Sequence, residues 1–206
     1  MSRVKKPGSR CEACFMRLEL CICSHIADCK NSLKMGGQVS LLIHHRELGY
    51  PTNTGRLAHL CLPNSRMLIR GRLEDKGQLA ERFIEKPRLL FLYPNEESQF
   101  LEDLDMSEMQ DKGYQLIVPD GSWRQASKIA KREGFEGRVT FVGFRTQIET
   151  KYQLRNEPKV GGMATMEAVA HALKWLESPD HSEKLLKVFY TMVERTMNSR
   201  KGQLQC

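Results

Sequence analysis

The chain has 206 residues, 40% of them hydrophobic, which is enough for one ordinary domain with a real core and a small appendage. Its 32 Lys and Arg residues against 25 Asp and Glu residues leave a net charge of +7, which favours a polyanionic partner. The composition excludes a disordered chain, and no apolar run reaches the roughly 18 residues of a membrane helix. The first residues also lack an apolar signal core, so we expect a cytoplasmic protein.

Four of the seven cysteines lie near the N-terminus in the pattern Cys-x2-Cys-x6-Cys-x-Cys. A reducing compartment argues against disulfides, whereas two close pairs of thiolates can converge on one tetrahedral Zn²⁺ ion. The spacing predicts a structural zinc knuckle over residues 1–30, with Cys11, Cys14, Cys21 and Cys23 as ligands. Replacement of one ligand by His25 or Cys29 stays open.

Short apolar runs alternate with helix-like segments over residues 31–206. This alternation predicts an α/β domain with a mostly parallel sheet flanked by helices. Strands are expected at Val39–Ile43, Arg66–Arg72, Arg88–Tyr93, Tyr114–Val118 and Arg138–Val142. Helices are expected at Thr54–Leu60, after Ser122, from Thr165 to about Leu176 and over Ser182–Ser199, with a short helix or turn at Gln78–Phe83. Thr165 is expected to cap its helix.

The stretch Leu116–Ile129 joins a buried strand to a helix, and Ser122 with Gln125 fits a capping box at the start of that helix. Asp120 therefore lies between the strand end and the helix start. Ligands of open α/β sheets bind at the carboxyl ends of the strands, where helix N-termini offer free N–H groups. Asp120 and Trp123 are candidate functional residues for this reason.

Polar residues are dense between the first strand and the helix at Thr54–Leu60. Asn53 is expected to cap that helix, and Arg56 is a candidate anion contact. Adjacent residues on an extended chain point in opposite directions, so His44 and His45 do not indicate a catalytic metal pair.

The later helix places Arg124, Lys128 and Lys131 on one face, which suits phosphate. Neither a Gly-x-Gly-x-x-Gly nor a Walker loop is present, which disfavours NAD and ATP.

Several motifs in a fixed order resemble the DTW-domain family of tRNA-uridine aminocarboxypropyltransferases. They are the leading four cysteines, Pro51–Leu57, Leu92-Tyr93-Pro94, Asp120-x-Ser122-Trp123, Tyr152-x-Leu154-Arg155 and Thr165-x-Glu167-Ala168. Ser122 stands where the family motif has threonine, which keeps the hydroxyl. The resemblance implies a SPOUT-like knotted fold over residues 31–206, S-adenosylmethionine as cofactor, and transfer of its aminocarboxypropyl group to N3 of a tRNA uridine.

The resemblance also implies roles for individual residues. Asp120 is expected to act as the general base on N3, and Trp123 to stack on the target base or lie beside the sulfonium. The cofactor pocket would comprise Leu92, Tyr93, Pro94, Pro119, Ser122, Leu154, Arg155, Thr165 and Glu167. Arg56 or Arg155 would bind the cofactor's carboxylate, and the tRNA would contact Asn53, Thr54, Arg56, Arg124 and Lys128.

Two other functions remain open from the sequence. A knotted RNA methyltransferase would release S-adenosylhomocysteine instead of methylthioadenosine, and a zinc-ribbon RNA-binding protein would bind no cofactor. The acidic and aromatic residues at a strand end disfavour the second of these. The oligomeric state is not indicated, with a monomer slightly favoured.

Overall fold

A computed structural model describes residues 9–71, 83, 88–105, 107, 109, 113–121, 123–145, 148, 150, 152, 154 and 162–200. The strands in this part of the chain are β1 (Gln38–His44), β2 (Ser65–Arg70), β3 (Leu89–Leu92), β4 (Gln99–Phe100), β5 (Gln115–Asp120) and β6 (Thr140–Gly143). The helices are α1 (Cys23–Ser32), α2 (Thr54–Cys61), α3 (Trp123–Arg132), α4 (Thr165–Leu176) and α5 (Pro179–Arg200). Short 3-10 turns occur at Leu18–Leu20, His45–Glu47 and Leu101–Asp103.

All six strands join one sheet in the order β2-β1-β5-β3-β6-β4, and every pairing is parallel. The predicted α/β architecture with a mostly parallel sheet is therefore confirmed. Because parallel strands all run in one direction, their carboxyl ends lie along a single edge of the sheet. Asp120 stands at that edge, at the end of the central strand β5.

The sheet is covered on both faces, as parallel sheets require. One face packs its apolar side chains, such as Leu41 and Leu116, against α1, α2, α4 and α5. The other face carries Leu42 and Ile117, which form a smaller cluster with Ile129 of α3. Since side chains alternate along a strand, neighbouring residues of β5 serve opposite faces.

The predicted strands and helices at these positions are confirmed, with small shifts at their ends. The prediction that Thr165 caps α4 is wrong, because α4 begins at Thr165 and its N-cap is Ala164. The methyl group of Ala164 accepts no hydrogen bond, and the Glu167 carboxylate instead accepts one from the Ala164 N–H at 3.0 Å. The Thr165 hydroxyl is thereby left for another partner. Ser122 and most of Gln78–Phe83 lie outside the described residues.

The N-terminal knuckle and the sheet share one apolar cluster. Met16, Leu20 and Ile22 belong to it together with Leu41 of β1. The predicted division at residue 30 stays a prediction, and α1 runs through that position. The predicted knot also stays a prediction, because much of the chain between residues 146 and 161 lies outside the described part. Among the described helices, none is long and apolar enough to cross a membrane.

At the amino end of the sheet, hydrogen bonds among Gly37, Tyr114 and Glu177 join β1 and β5 to the end of α4. We call these three residues the latch. The Glu177 carboxylate accepts hydrogen bonds from the Tyr114 hydroxyl at 2.5 Å and from the Gly37 N–H at 3.0 Å. Burial, reinforced by Glu177, raises the pKa of Tyr114, so this hydroxyl stays a donor. A Cβ at Gly37 would lie 2.1 Å from Cζ of the Tyr114 ring, so only glycine fits there.

We expect Gly37→Ala to lower the free energy of unfolding by about 1–3 kcal/mol, because the added methyl displaces the buried Tyr114 ring. Gly49→Ala is the matched control, since no atom lies within 4 Å of its Cβ position. The control should stay within about 0.5 kcal/mol of the wild type. Urea denaturation measures both, and equal stability of the two variants would contradict the latch.

Candidate active site

Asp120 is the central polar residue at the carboxyl edge of the sheet. Its side chain is only 6% exposed. Oδ2 accepts a hydrogen bond from Asn53 Nδ2 at 2.6 Å, and Oδ1 accepts one from Thr165 Oγ1 at 2.5 Å. The carboxylate therefore joins the end of β5 to the first turns of α2 and α4.

The start of α2 is built to receive this carboxylate. Asn53 is the N-cap, and its Oδ1 accepts from the Arg56 N–H at 2.6 Å while its Nδ2 binds Asp120. A Cβ at Gly55 would lie 3.0 Å from Cγ of Asp120, so the absence of a side chain permits the close approach. The positive end of the helix dipole and the two donors together stabilise the ionised carboxylate.

The start of α4 supplies the other donor. Thr165 is half-buried, so its hydroxyl is the more accessible end of the Asp120 network. Glu167, two residues on, is buried and accepts hydrogen bonds from the Ala164 N–H and from Thr150 Oγ1, the latter at 2.6 Å. The structure thus places Thr165 in the site, whereas the Glu167 carboxylate holds the helix start and an adjoining loop.

The end of β3 brings three of the predicted pocket residues to the same edge. Leu92 is buried, Tyr93 is half-buried and Pro94 is exposed. The Tyr93 N–H donates to the Val142 carbonyl of β6 at 3.1 Å. Pro94 lies 3.3 Å from the Cβ position of Gly143, so a glycine there lets the two loops approach. Pro119 is half-buried within β5, next to Asp120.

A further predicted segment packs beside the entrance to α2. The Tyr152 hydroxyl donates to the Thr52 carbonyl at 3.1 Å, and the Leu154 carbonyl accepts from Arg200 Nη1 at 3.2 Å. Tyr152 and Leu154 are both buried. Ser122 and Arg155 lie outside the described residues, as do the side chains of Trp123 and Arg124.

Sequence reasoning missed Arg70, the last residue of β2. This arginine is 5% exposed, and Nε and Nη2 of its guanidinium have no hydrogen-bond partner in the described part of the chain. Nη2 lies 3.5 Å from the Cβ position of Gly121, which directly follows Asp120 and has φ +148°. The sequence showed only an arginine in a half-polar strand, and no local pattern distinguished it from an exposed side chain.

His44 and His45 lie at the same edge, and the relative orientation of their rings differs from the prediction. Their rings stack with centroids 4.6 Å apart, because β1 ends at His44 and the chain turns at once. The prediction that they point in opposite directions is therefore wrong. Burial, followed by the charge of Arg70, lowers the pKa of His44, so this ring is neutral at pH 7.

The four N-terminal thiols converge. Their sulfur atoms all lie within 4.8 Å of one another, with Cys11 and Cys23 3.4 Å apart and Cys14 and Cys21 3.8 Å apart. Such separations match a tetrahedron with metal–sulfur bonds of about 2.3 Å. The backbone N–H of Cys14 lowers the pKa of Cys11 to about 6, whereas burial raises that of Cys23. This cluster can hold a metal ion, and Cys29 is not a member of it.

Two arginines from the main domain hold the knuckle. The Arg56 guanidinium lies 3.6 Å from the centroid of the Phe15 ring and donates to the Ala13 carbonyl. Arg195 of α5 donates to the Cys21 carbonyl at 2.5 Å. The structure thus places Arg56, a predicted RNA and carboxylate contact, against the knuckle rather than at the Asp120 network.

The remaining predicted RNA contacts are divided between core and surface. Asn53 and Thr54 are buried at the start of α2. Lys128 is exposed on α3, as are Lys131 and Arg132. Among the side chains that the structure describes, these three form the cationic surface of this helix.

A model of the DTW domain matches residues 8–197. The chain belongs to the DTW-domain family. The match includes the knuckle, the whole sheet and most of α5, so all the site residues described above fall inside the DTW domain.

Curated DTW-domain relatives are similar to this chain over most of its length. The tRNA-uridine aminocarboxypropyltransferase 2 of Drosophila melanogaster is 26% identical over 196 residues, which cover 93% of this chain and 76% of the relative. The protein of the same name from Macaca fascicularis is 25% identical, over 88% of this chain and 61% of its own length. The tRNA-uridine aminocarboxypropyltransferase A of Arabidopsis thaliana is 27% identical, over 89% and 79%.

One solved structure has a similar outline. It is the SAM-dependent rRNA:acp-transferase Tsr3 from Vulcanisaeta distributa, with a TM-score of 0.47 and 16% sequence identity. The similarity covers 82% of each chain.

The network makes Asn53 important for stability in two separable ways. We expect Asn53→Ser to cost about 1.5–3 kcal/mol, because the cap is kept but the buried carboxylate loses a donor. Asn53→Ala should cost about 1 kcal/mol more, because the cap is lost as well. Chemical denaturation measures both variants, with the exposed Asn31→Ser in α1 as the control. Wild-type stability of Asn53→Ser would show that the Asp120 contact contributes little.

Proposed function

We propose that this DTW-domain protein transfers the 3-amino-3-carboxypropyl group of S-adenosylmethionine to N3 of a tRNA uridine and releases methylthioadenosine. The observation that carries the proposal is the match to the family over residues 8–197, with relatives of that printed activity along most of the chain. The net charge of +7 and the exposed Lys128, Lys131 and Arg132 on α3 support a tRNA partner.

The residues at the carboxyl edge fit a cofactor that carries both a cation and a carboxylate. Asp120 supplies a buried anion on one face of the sheet. On the other face Arg70 supplies a guanidinium edge that has no hydrogen-bond partner among the residues that the structure describes. Leu92 and Leu154 add buried apolar surface near the same edge. When bound, S-adenosylmethionine supplies an electrophilic γ-carbon next to a sulfonium, which leaves as a neutral thioether.

The protein's own task is to position the uridine and remove the N3 proton. We infer that Asp120 accepts this proton through Thr165, because the carboxylate is buried whereas the threonine hydroxyl is half-buried. The N3 proton would pass to Thr165 Oγ1, and the hydroxyl proton would pass to Asp120 Oδ1 over the 2.5 Å hydrogen bond. Asn53 holds Oδ2 and so keeps the carboxylate in place.

We expect Asp120→Asn to lower the rate of transfer by about 10²–10⁴-fold, the range typical of lost proton transfer. Thr165→Val should lower it comparably, while Thr165→Ser keeps the hydroxyl and should retain activity within a few fold. Methylthioadenosine release is measured with an unmodified tRNA transcript, and cofactor affinity is measured for each variant as a control.

Several outcomes would change the proposal. An active Asp120→Asn enzyme would remove the carboxylate from proton transfer, and an active Thr165→Val enzyme would remove the relay. Release of S-adenosylhomocysteine in place of methylthioadenosine would favour the methyltransferase alternative. A chain that binds tRNA but no cofactor would favour the non-catalytic alternative.

We also propose that the four-cysteine cluster binds a structural Zn²⁺ ion. Four thiolates around one divalent ion leave a local charge of about −2, which needs compensation when it is partly buried. Arg56 and Arg195 both contact the knuckle and supply positive charge there. The same Arg56 follows Asn53 in the first turn of α2, so the metal would also steady the helix that binds Asp120.

We expect elemental analysis to find one zinc per chain, and Cys23→Ser to lose most of it. Cys61→Ala is the control, because Cys61 is buried outside the cluster and should leave the metal content unchanged. Removal of the metal with a chelator should weaken tRNA binding more than cofactor binding, because the knuckle carries the exposed cations Arg10 and Arg17. A metal-free protein with full tRNA affinity would contradict this role.

A further inference from the structure

Arg70 is the one buried arginine among the described residues whose guanidinium edge is left unused. Its Nε and Nη2 atoms have no hydrogen-bond partner in the described part of the chain, although the arginine is only 5% exposed. Buried N–H donors without an acceptor are costly, so proteins keep them only where a ligand or a function compensates that cost. Burial lowers the pKa of Arg70 while Glu133 and Asp120 raise it, and the guanidinium stays charged at neutral pH.

Arg66, on the same strand, has a guanidinium edge whose two donors are both hydrogen-bonded. Its Nε and Nη2 both donate to Gln38 Oε1, at 3.0 and 2.6 Å. These two atoms form one side of the planar guanidinium, the fork that matches the two oxygens of a carboxylate. Arg70 presents the same fork without an acceptor. This edge suits a small, planar oxyanion.

The fork faces the start of α3. Arg70 pairs with His44 in the sheet and Asp120 pairs with Ile43, so their side chains lie on opposite faces. The Arg70 side is the face covered by α3, and Nη2 lies 3.5 Å from the Cβ position of Gly121. A side chain at Gly121 would also meet Gln125 Oε1 at 2.7 Å, so glycine keeps the space between Arg70 and α3 open.

The N-terminus of α3 adds to the attraction for an anion at this position. α3 has 10 residues, and its first N–H groups have no acceptor within the helix. A polynucleotide phosphate is a bulky diester, whereas a terminal carboxylate on a three-carbon arm can enter a space that leaves Arg70 only 5% exposed. Gly121 directly follows Asp120, so an anion bound here lies beside the residue next in sequence to the proposed proton acceptor.

We propose that Arg70 binds the α-carboxylate of the aminocarboxypropyl group through its Nε–Nη2 edge at the start of α3. This assignment rests on the proposed transferase function and deepens it. Holding the carboxylate fixes the amino acid arm, so the γ-carbon rather than the methyl carbon faces the incoming N3. Arg70 is then a residue that determines which of the sulfonium's substituents is transferred.

The test is calorimetric binding of three probes: S-adenosylmethionine, its decarboxylated analogue and methylthioadenosine. The wild type should bind S-adenosylmethionine at least 10-fold more tightly than the decarboxylated analogue, the lower end expected for a charge-assisted pair. Arg70→Met should weaken S-adenosylmethionine by roughly 10–100-fold and leave the two other affinities unchanged. The affinity of Arg70→Lys for S-adenosylmethionine should lie between those of the wild type and Arg70→Met, because an ammonium group keeps the charge but lacks the planar pair of donors.

Two further measurements separate binding from structural support. Arg66→Met is the matched control on β2 and should leave the ratio between the two cofactor forms unchanged. The free Arg70→Met protein should melt within a few degrees of the wild type, because the loss of the attraction to Glu133 and Asp120 is offset by the removal of two buried donors without acceptors. A merely structural arginine would instead lower the melting temperature and weaken all three probes together.

The remaining outcomes distinguish a failure of the Arg70 assignment from a failure of the transferase proposal. If the wild type binds the cofactor and Arg70→Met keeps the wild-type preference for the carboxylate, the Arg70 assignment is wrong and the transferase proposal stands. Loss of tRNA affinity with unchanged cofactor preference would assign the guanidinium to a phosphate and overturn the carboxylate. Failure of the wild type to bind S-adenosylmethionine or methylthioadenosine would overturn both proposals.

Discussion

The buried carboxylate of Asp120 is the constraint on which the rest of the site depends. A lone carboxylate at 6% exposure would be unfavourable, and here Asn53 and Thr165 offset the loss of water with two short hydrogen bonds. Each donor stands in the first turn of a different helix, so the positions of α2 and α4 relative to β5 are set by one acidic group. Stability and the proposed chemistry therefore rest on the same atoms.

The knuckle is linked to this centre through side chains of the main domain. Arg56 contacts Phe15 and the Ala13 carbonyl while its own N–H is bound by the Asn53 cap. The short segment from Asn53 to Arg56 thus contacts the knuckle through Arg56 and Asp120 through Asn53. A change in the cysteine cluster can reach the active site through Asn53 without any contact between the cysteines and Asp120.

The sequence could predict the elements whose signals are local. The apolar run before Asp120, the polar cap at Asn53 and the close cysteine pairs each predict a feature that the structure contains. The pairing of distant residues could not be predicted in this way. Thr165 looked like a cap, yet its hydroxyl donates to a carboxylate 45 residues earlier. Arg56 looked like a free cation, yet it is bound to the knuckle. Arg70 carried no signal, because its burial follows from the packing of α3 and the sheet.

The strand order also constrains how the protein emerges from the ribosome. Among the described strands, the neighbours of β3 are β5 and β6, and both are synthesised after it. β1 and β2 can pair early, but β3 must wait as a hydrophobic segment until β5 arrives to join the two halves of the sheet. During that interval the apolar Leu89–Leu92 segment lacks both of its partner strands, and such an unpaired segment is prone to aggregation.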